Sequence, residues 1–305
     1  MSLLSNPSDR KTDHKIRLIL GCGYVGERIA KRWLEAGDRV LALSRSPERA
    51  AGLAAIGIEP IVRNWLDPLM SEPMQQDTWL QSPPDTVLVS VSHAAPSHAR
   101  GLSNLVCCLK DAVRKTRWIY LSTTGVFADP APESSLWVDE SSPTLPARPG
   151  SVNALEAERW LEDSDLEHVI LRPAGIYGPG RIPNVQAIRE SQSMPVDPES
   201  YLNLIHVEDL SQIIATVSDR PIAHRLYCVS DGKSIVRREY YAFIAHLLNL
   251  PEPKYSDTLT PQYQRRRNQG NKRVSNRRLL NDHPIAFRYP DYRSGLSSML
   301  EEFSR

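Results

Sequence analysis

Short apolar runs punctuate the chain, and helical patterns fill most of the gaps between them. KIRLIL (15–20), RVLALS (39–44), DTVLVSVS (85–92), RWIYLST (117–123), EHVILRP (167–173) and RLYCVSD (225–231) are rich in Val, Ile, Leu or Tyr. Their near-continuous apolarity predicts strands buried on both faces. Between them, YVGERIAKRWLEAG (24–37) and a segment near Leu102 to Lys115 carry helical patterns. RPGSVNALEAERWL (148–161) adds a third: Pro149 and Gly150 break the chain, Ser151 can cap, and good helix formers follow. In that helix Leu155, Trp160 and Leu161 offer apolar packing, and Glu156 and Glu158 are expected to face solvent or partners.

Strand–helix alternation of this kind predicts an α/β fold, a Rossmann doubly wound parallel sheet with helices on both faces. Beyond about residue 178 the texture turns irregular and Pro-rich (GPGRIPNVQ, SMPVDPESY) before RLYCVSD and a helical pattern near Arg238 to Leu250. The expected division is a nucleotide-binding domain over 16–178, to which a strand near 225–230 returns, and a smaller substrate-binding lobe over 179–305. Such a lobe would lie over the carboxyl edge of the sheet, where open α/β sheets bind ligands.

The first strand runs into GCGYVG, and the helix after it repeats Val25, Ile29, Trp33 and Leu34 at helical spacing. In that setting the glycines have distinct work: Gly21 for the tight turn, Gly23 for close approach of a pyrophosphate, Gly26 for helix–strand packing. Gly21, Cys22, Gly23, Tyr24, Val25 and Gly26 are thus the expected dinucleotide cradle, with phosphates at the helix N-terminus. The plain alternative is a Gly-rich turn that holds no cofactor.

The end of the second strand distinguishes the two nicotinamide coenzymes. NAD sites usually place Asp or Glu there; this chain has Ser44 and Arg45 in LALSRSPER, with no acid at that place. A guanidinium can pair bidentately with a 2′-phosphate, so NADP is favoured and NAD stays possible. Arg45 could instead be an ordinary solvated side chain at a helix start. Ser92, at the end of the run 85–92, is a further candidate for the cofactor.

Charge and cysteines narrow the setting. The formal net charge is +1 over 305 residues, which gives no bulk attraction to nucleic acid or an anionic membrane. Four cysteines (Cys22, Cys107, Cys108, Cys228) show no metal-ligand spacing and suit free thiols in a reducing compartment. No run of about eighteen apolar residues occurs. The N-terminal MSLLSNPSDRKTDHK lacks a secretory h-region, so a cytoplasmic protein is expected.

Several stretches together resemble the short-chain dehydrogenase/reductase superfamily, in its extended, NAD(P)-dependent epimerase/dehydratase branch. After the fingerprint come WIYLSTTGVFAD, WVDESSPTLP, LRPAGIYGPGR, NLIHVEDL, YCVSDGKSIVRREYY and GNKRVSNRRLL, so the resemblance covers roughly 16–300. It departs from that branch twice. GCGYVG replaces the usual GxxGxxG, which marks an atypical subgroup. The family's YxxxK dyad aligns on Gly150 and Ala154, and no Tyr lies between Tyr120 and Tyr177. In the family the Tyr moves the proton that accompanies hydride transfer, and the Lys stabilises tyrosinate. Gly and Ala do neither, and general acid–base catalysis contributes about 10²–10⁴ in rate.

By resemblance Asn64, with Trp65 beside it in RNWLDP, replaces the acid of a GDLTDP-like pattern, and its amide could still meet the adenine edge. By resemblance, too, Thr123, with Thr124 beside it, matches the family's catalytic Ser/Thr. His93 should sit near the nicotinamide end of the crevice and titrates near neutral pH. Tyr177, and Tyr201 with it, lies near the pocket mouth by the same resemblance. Each of these has a packing or capping role as its alternative. His206 and Asp209 read as a structural hydrogen-bonding element, and no metal is expected.

The stretch Tyr263 to Leu280 holds Arg265, Arg266, Arg267, Lys272, Arg273, Arg277 and Arg278 with no acid. A solvated lobe surface, a phosphate-bearing small ligand and nucleic acid are its three readings, and nucleic acid, with almost no interleaved aromatics, is not expected as a partner.

Two functions follow. One is an NADP-dependent oxidoreductase or epimerase-like enzyme with a displaced acid–base group, acting on a small carbonyl or sugar-nucleotide-like molecule. The other is a catalytically inactive NADP-binding sensor or partner protein. The resemblance also allows a homodimer through helices beside the active-site helix.

Overall fold

A computed structural model describes residues 14–67, 82–95, 97–109, 114–128, 137–256 and 271–299. Seven strands form one parallel sheet: β1 (Ile16–Leu20), β2 (Arg39–Ser44), β3 (Glu59–Val62), β4 (Thr86–Val89), β5 (Arg117–Leu121), β7 (His168–Pro173) and β11 (Leu226–Val229). A short β6 (Trp137–Val138) lies outside it. The order across the sheet is β3-β2-β1-β4-β5-β7-β11. Leu18 of β1 faces Leu41 on one side and Val87 on the other, so the winding reverses between β1 and β4. A crevice opens at the carboxyl ends of strands at such a reversal.

Strand alternation splits the sheet's side chains between two cores. Ile19, Ala42, Leu88, Ile119, Val169 and Tyr227 share one cluster with α1 (Gly26–Glu35) and α6 (Val207–Asp219). Leu18, Leu41, Val87, Trp118 and Tyr120 share the other with α3 (His98–Leu109) and α4 (Pro149–Glu162). A strand repeats every two residues, so one apolar run serves both faces. In α1, Ile29, Ala30 and Trp33 are buried against Leu210, Ile213, Ile214 and Val217 of α6. Each large side chain so buried contributes about 1.5–3 kcal/mol.

α6 is absent from the sequence expectation although Leu210, Ile213, Ile214 and Val217 recur at helical spacing; its β-branched residues mask the pattern. His206 caps it, with Nδ1 accepting the Glu208 N–H at 3.2 Å. Asp209 accepts the Arg288 and Tyr289 N–H groups at 2.7 and 3.0 Å. Both act as structural hydrogen-bonding groups.

Two local expectations are corrected. Ser151 does not cap α4: the helix starts at Pro149 with Arg148 at the cap, and Ser151 is buried in the first turn. Proline fits there because its missing N–H has no partner to lose. Glu158 does not face solvent: it is 1% exposed, and Arg172 Nε and Nη2 donate to its two oxygens at 3.0 and 2.6 Å. Arg17 is likewise buried within a strand, held by Asp38, Asp219 and Thr86, each at 2.7 Å, and lying over Trp33.

A third, smaller core gathers Tyr177, Ile188, Leu204, Tyr240, Tyr241 and Leu296. It is built from the parallel pair β8 (Gly175–Tyr177) and β10 (Leu204–His206), the antiparallel pair β9 (Tyr201–Leu202) and β12 (Ile235–Val236), and the helices α5 (Val185–Arg189), α7 (Arg237–Leu247) and α9 (Tyr292–Ser297). Between these last two helices, α8 (Arg277–Asp282) follows β13 (Arg273–Val274), which pairs with β6. Among the described residues no helix is long and apolar enough to cross a membrane.

Candidate dinucleotide site

Where β1 ends, the chain turns through Gly21 at φ +81°, a left-handed conformation that favours glycine. A Cβ there would stand 2.7 Å from the Ser90 carbonyl oxygen and the Val91 nitrogen. Gly26 is closed in similarly, its Cβ position 2.9 Å from the Gly21 oxygen, which lets α1 sit tightly on the strand. Gly23 has open space where its side chain would be. No side chain caps α1; its Glu27 and Arg28 N–H groups donate to the Gly23 and Val25 oxygens at 2.9 and 3.1 Å, so the helix start offers an anion the positive end of its dipole rather than a row of unpaired donors.

These features border a cavity of about 860 Å³, within the range of ligand sites. Gly21, Cys22, Gly23, Tyr24 and Val25 form its floor beside Ser44, Arg45, Asn64, Trp65, Ser92 and His93. Gly26 packs behind the wall. The open face at Gly23 and the uncapped helix fit a dinucleotide. Burial first, then Glu27, pushes the Cys22 thiol up to about 12, so Cys22 is an inert wall.

At the β2 end Ser44 is buried and Ser46 caps α2 (Pro47–Ala54), accepting the Arg49 N–H at 3.2 Å. Arg45 is exposed on the rim, and Arg49 and Arg63 also line the cavity. Arg49 reaches the Cys22 carbonyl at 2.6 Å and pairs with Glu27, tying α2 to the glycine loop. Asn64 accepts the Leu66 N–H at 3.2 Å. Trp65 is 6% exposed, edge-on to His98, and lies on Gly101, where a Cβ would be 2.4 Å from the indole. Arg49, Arg63 and Gly101 are absent from the sequence expectation. Arg49 lies four residues after Arg45, and no local spacing marks Arg63 or Gly101.

The opposite end is built from the loop after β4. Histidine 93 is half-buried, with Nε2 2.9 Å from the Leu121 carbonyl oxygen. A carbonyl only accepts, so Nε2 carries the proton and Nδ1 is the acceptor of the neutral ring. Burial lowers the His93 pKa, opposed by that hydrogen bond and by Glu158. Behind it, His98 Nε2 is 3.1 Å from the Ser92 oxygen and Nδ1 is 2.9 Å from the Tyr120 hydroxyl, so His98 is consumed in structure.

The loop is also clamped from α4. A Cβ on Gly150 would lie 3.0 Å from the His93 carbonyl oxygen, and Asn153 Nδ2 donates to the His93 and Ala95 oxygens, each at 3.4 Å. Ala154 is fully buried with Val126 and Leu155. The first turn of α4 therefore supports the loop and brings no ionisable group of its own to the cavity.

The structure does not bring all the catalytic candidates together. Thr123 accepts the Gly125 N–H at 3.0 Å and caps a short 3₁₀ turn (Thr124–Val126); the cavity wall reaches its neighbour Ser122 and not Thr123 itself. Tyr177 is fully buried, and its hydroxyl donates to the Asp291 carbonyl at 3.2 Å. Burial pushes its phenol well above the usual range. Tyr201 is half-buried beside Arg273, outside the cavity. Only His93 of this set lines it.

The basic stretch is not a uniform solvated face either. Lys272 is buried, donating to the Phe127 oxygen at 3.2 Å, and Arg273 lies between the Trp137 and Tyr201 rings. Arg278 sits 3.6 Å from Glu140, beside a separate hollow of about 540 Å³. Arg265, Arg266 and Arg267 lie outside the described residues.

This fold and this cavity define a dinucleotide-binding protein, and the chain belongs to the NAD(P)H-binding family, whose model matches residues 21–221. It is 24% identical over 276 residues to protein YeeZ of Escherichia coli, covering 90% of this chain and 96% of that one. A Methylobacillus flagellatus structure, described as a candidate NAD-dependent epimerase/dehydratase, superposes with a TM-score of 0.73 at 26% identity, over 95% of this chain and 99% of that one. A 4-hydroxy-2-methyl-3-oxo-4-farnesyl-3,4-dihydroquinoline-1-oxide ketoreductase of Stigmatella aurantiaca is 27% identical, covering 73% of this chain and 70% of that one. The fold is that of the epimerase/dehydratase type.

Proposed function

We propose that this protein is an NADP(H)-dependent oxidoreductase or epimerase-like enzyme of a small carbonyl compound or its alcohol, with His93 as the proton-handling group. One observation carries this: His93 lines the cavity with Nε2–H tied to Leu121, so that Nδ1 is the ring's one acceptor. The similarity to a named ketoreductase supports the reaction class. Arg45, Arg49 and Arg63 at the β2–β3 end, without an acid in the NAD position, support NADP over NAD.

When bound, the nicotinamide gives or takes the hydride. The protein's own part is to hold the diphosphate on the α1 N-terminus and to manage one proton. In oxidation, neutral His93 accepts the alcohol proton at Nδ1. In reduction, the doubly protonated ring returns it. Hydrogen bonding to Leu121 fixes the tautomer, as a positioned base requires.

A second reading, an NADP-binding sensor that catalyses nothing, is favoured by Gly150 and Ala154 in the first two turns of α4. One experiment separates them: NADPH oxidation against a panel of carbonyl compounds and sugar nucleotides, with wild type and His93→Ala. Turnover that the variant loses supports the enzyme. NADPH binding with no turnover of any compound supports the sensor.

A further inference from the structure

Resting on the dinucleotide reading of the cavity, we infer that Arg181 is the second lobe's binding residue for the coenzyme's diphosphate bridge, facing the glycine loop from the opposite wall. Sequence supplies its mounting. Gly178-Pro179-Gly180-Arg181 has Pro and then Gly at the two centre positions, the pattern of a type II turn. Gly180 has φ +76°, as that turn needs, and Gly178 and Arg181 exchange both backbone hydrogen bonds at 3.1 and 2.9 Å. Arg181 therefore leaves a fixed turn rather than a loose loop.

That turn is fastened to the very helix start that would hold the phosphates. Arg28 of α1 donates to the Tyr24 oxygen at 2.7 Å and to the Pro179 oxygen at 3.3 Å, and pairs with Glu208 at 3.2 Å. The Tyr24 ring lies beneath two guanidiniums, Arg28 at 4.1 Å and Arg181 at 5.6 Å from its centre.

Their situations differ in the way that matters. Arg28 is committed to Glu208 and two carbonyls. Arg181 is exposed, lines the cavity with Tyr24 and Gly23, and among the described residues forms no ion pair. A guanidinium held over an aromatic face, beside the positive end of the α1 dipole, suits a doubly charged diphosphate. Docking it would join the second lobe to the first through the coenzyme.

The test compares wild type, Arg181→Met and Arg181→Lys by calorimetric titration with NADPH and with 2′-AMP, which has the adenosine and 2′-phosphate but no diphosphate. The expected result is a rise in the NADPH Kd of about tenfold for Arg181→Met, the size of one charge-assisted contact. Arg181→Lys recovers part of it, and 2′-AMP binds all three proteins equally. Added NADPH also slows hydrogen exchange over 178–189 in wild type and not in Arg181→Met. An unchanged NADPH Kd in Arg181→Met overturns the inference. So does an equal loss for both probes, which would mean that Arg181 only shapes the cavity. If wild type binds neither probe, the coenzyme reading itself fails.

Discussion

The two ends of the cavity are furnished to different degrees. At the adenosine and diphosphate end, every device for holding a dinucleotide is in place: Gly21 at φ +81°, open space at Gly23, an uncapped α1 and three arginines. At the other end, α4 offers Gly150 and Ala154, and a histidine loop lies against Gly150. A Cβ at position 150 would stand 3.0 Å from the His93 carbonyl oxygen, so this loop and a large side chain at that position exclude each other. Binding and chemistry can therefore vary separately within one fold.

That contrast breaks first at His93. His93→Ala should cut turnover by about 10²–10⁴ while NADPH affinity stays near that of wild type. Wild-type oxidation should fall in acid, with its inflection below the ordinary 6.5 because burial favours the neutral ring. An unchanged rate, or an inflection above 6.5, would count against His93. At the other end the signs reverse: Gly21→Val should abolish NADPH binding, roughly a hundredfold loss or more, because its Cβ must displace the backbone at Ser90. A titration showing wild-type affinity would refute the cradle.

The next effect concerns the frame under the site. Burial, then Arg28 and Arg288, hold His206 down at about 4. The unfolded chain takes up that proton near 6.5, so stability is full above 6.5 and is lost as pH falls toward 4. The loss is on the order of 2–3 kcal/mol. Asparagine can cap without titrating, so His206→Asn should flatten this part of the unfolding profile. Parallel profiles would contradict it. Smaller still, Gly101→Ala pushes on Trp65 and should cost about 1–3 kcal/mol in denaturant unfolding. It should also weaken adenosine binding more than turnover, and no change in either would place Trp65 outside the site.

The sheet was largely legible in the sequence because its strands are apolar on both faces and its turns carry glycine. The apolar run near 225–230 forms β11 and pairs with β7, a neighbour that apolarity does not specify. What escaped depends on contacts distant in sequence. Glu158 looked solvent-facing because its partners, Arg172 and Ser122, come from other elements. Arg17 sat unnoticed in a strand because Asp38 and Asp219 complete it. At the site, the glycine loop could be read from spacing, since a tight turn is a local demand. Tyr177 could not be removed from the candidates, because a phenol's direction is set by packing against His206 and Gly295.

The central claim is that this cavity keeps a working NADP(H) site whatever its chemistry has become. Calorimetric titration of the wild-type protein with NADPH and with NADH, repeated on Arg45→Ala, tests it most directly. The account predicts one NADPH bound per chain, at least about tenfold tighter than NADH, with the preference gone in the variant. Equal affinities, or a preference that survives Arg45→Ala, would contradict the NADP assignment, and no binding of either would contradict the site itself.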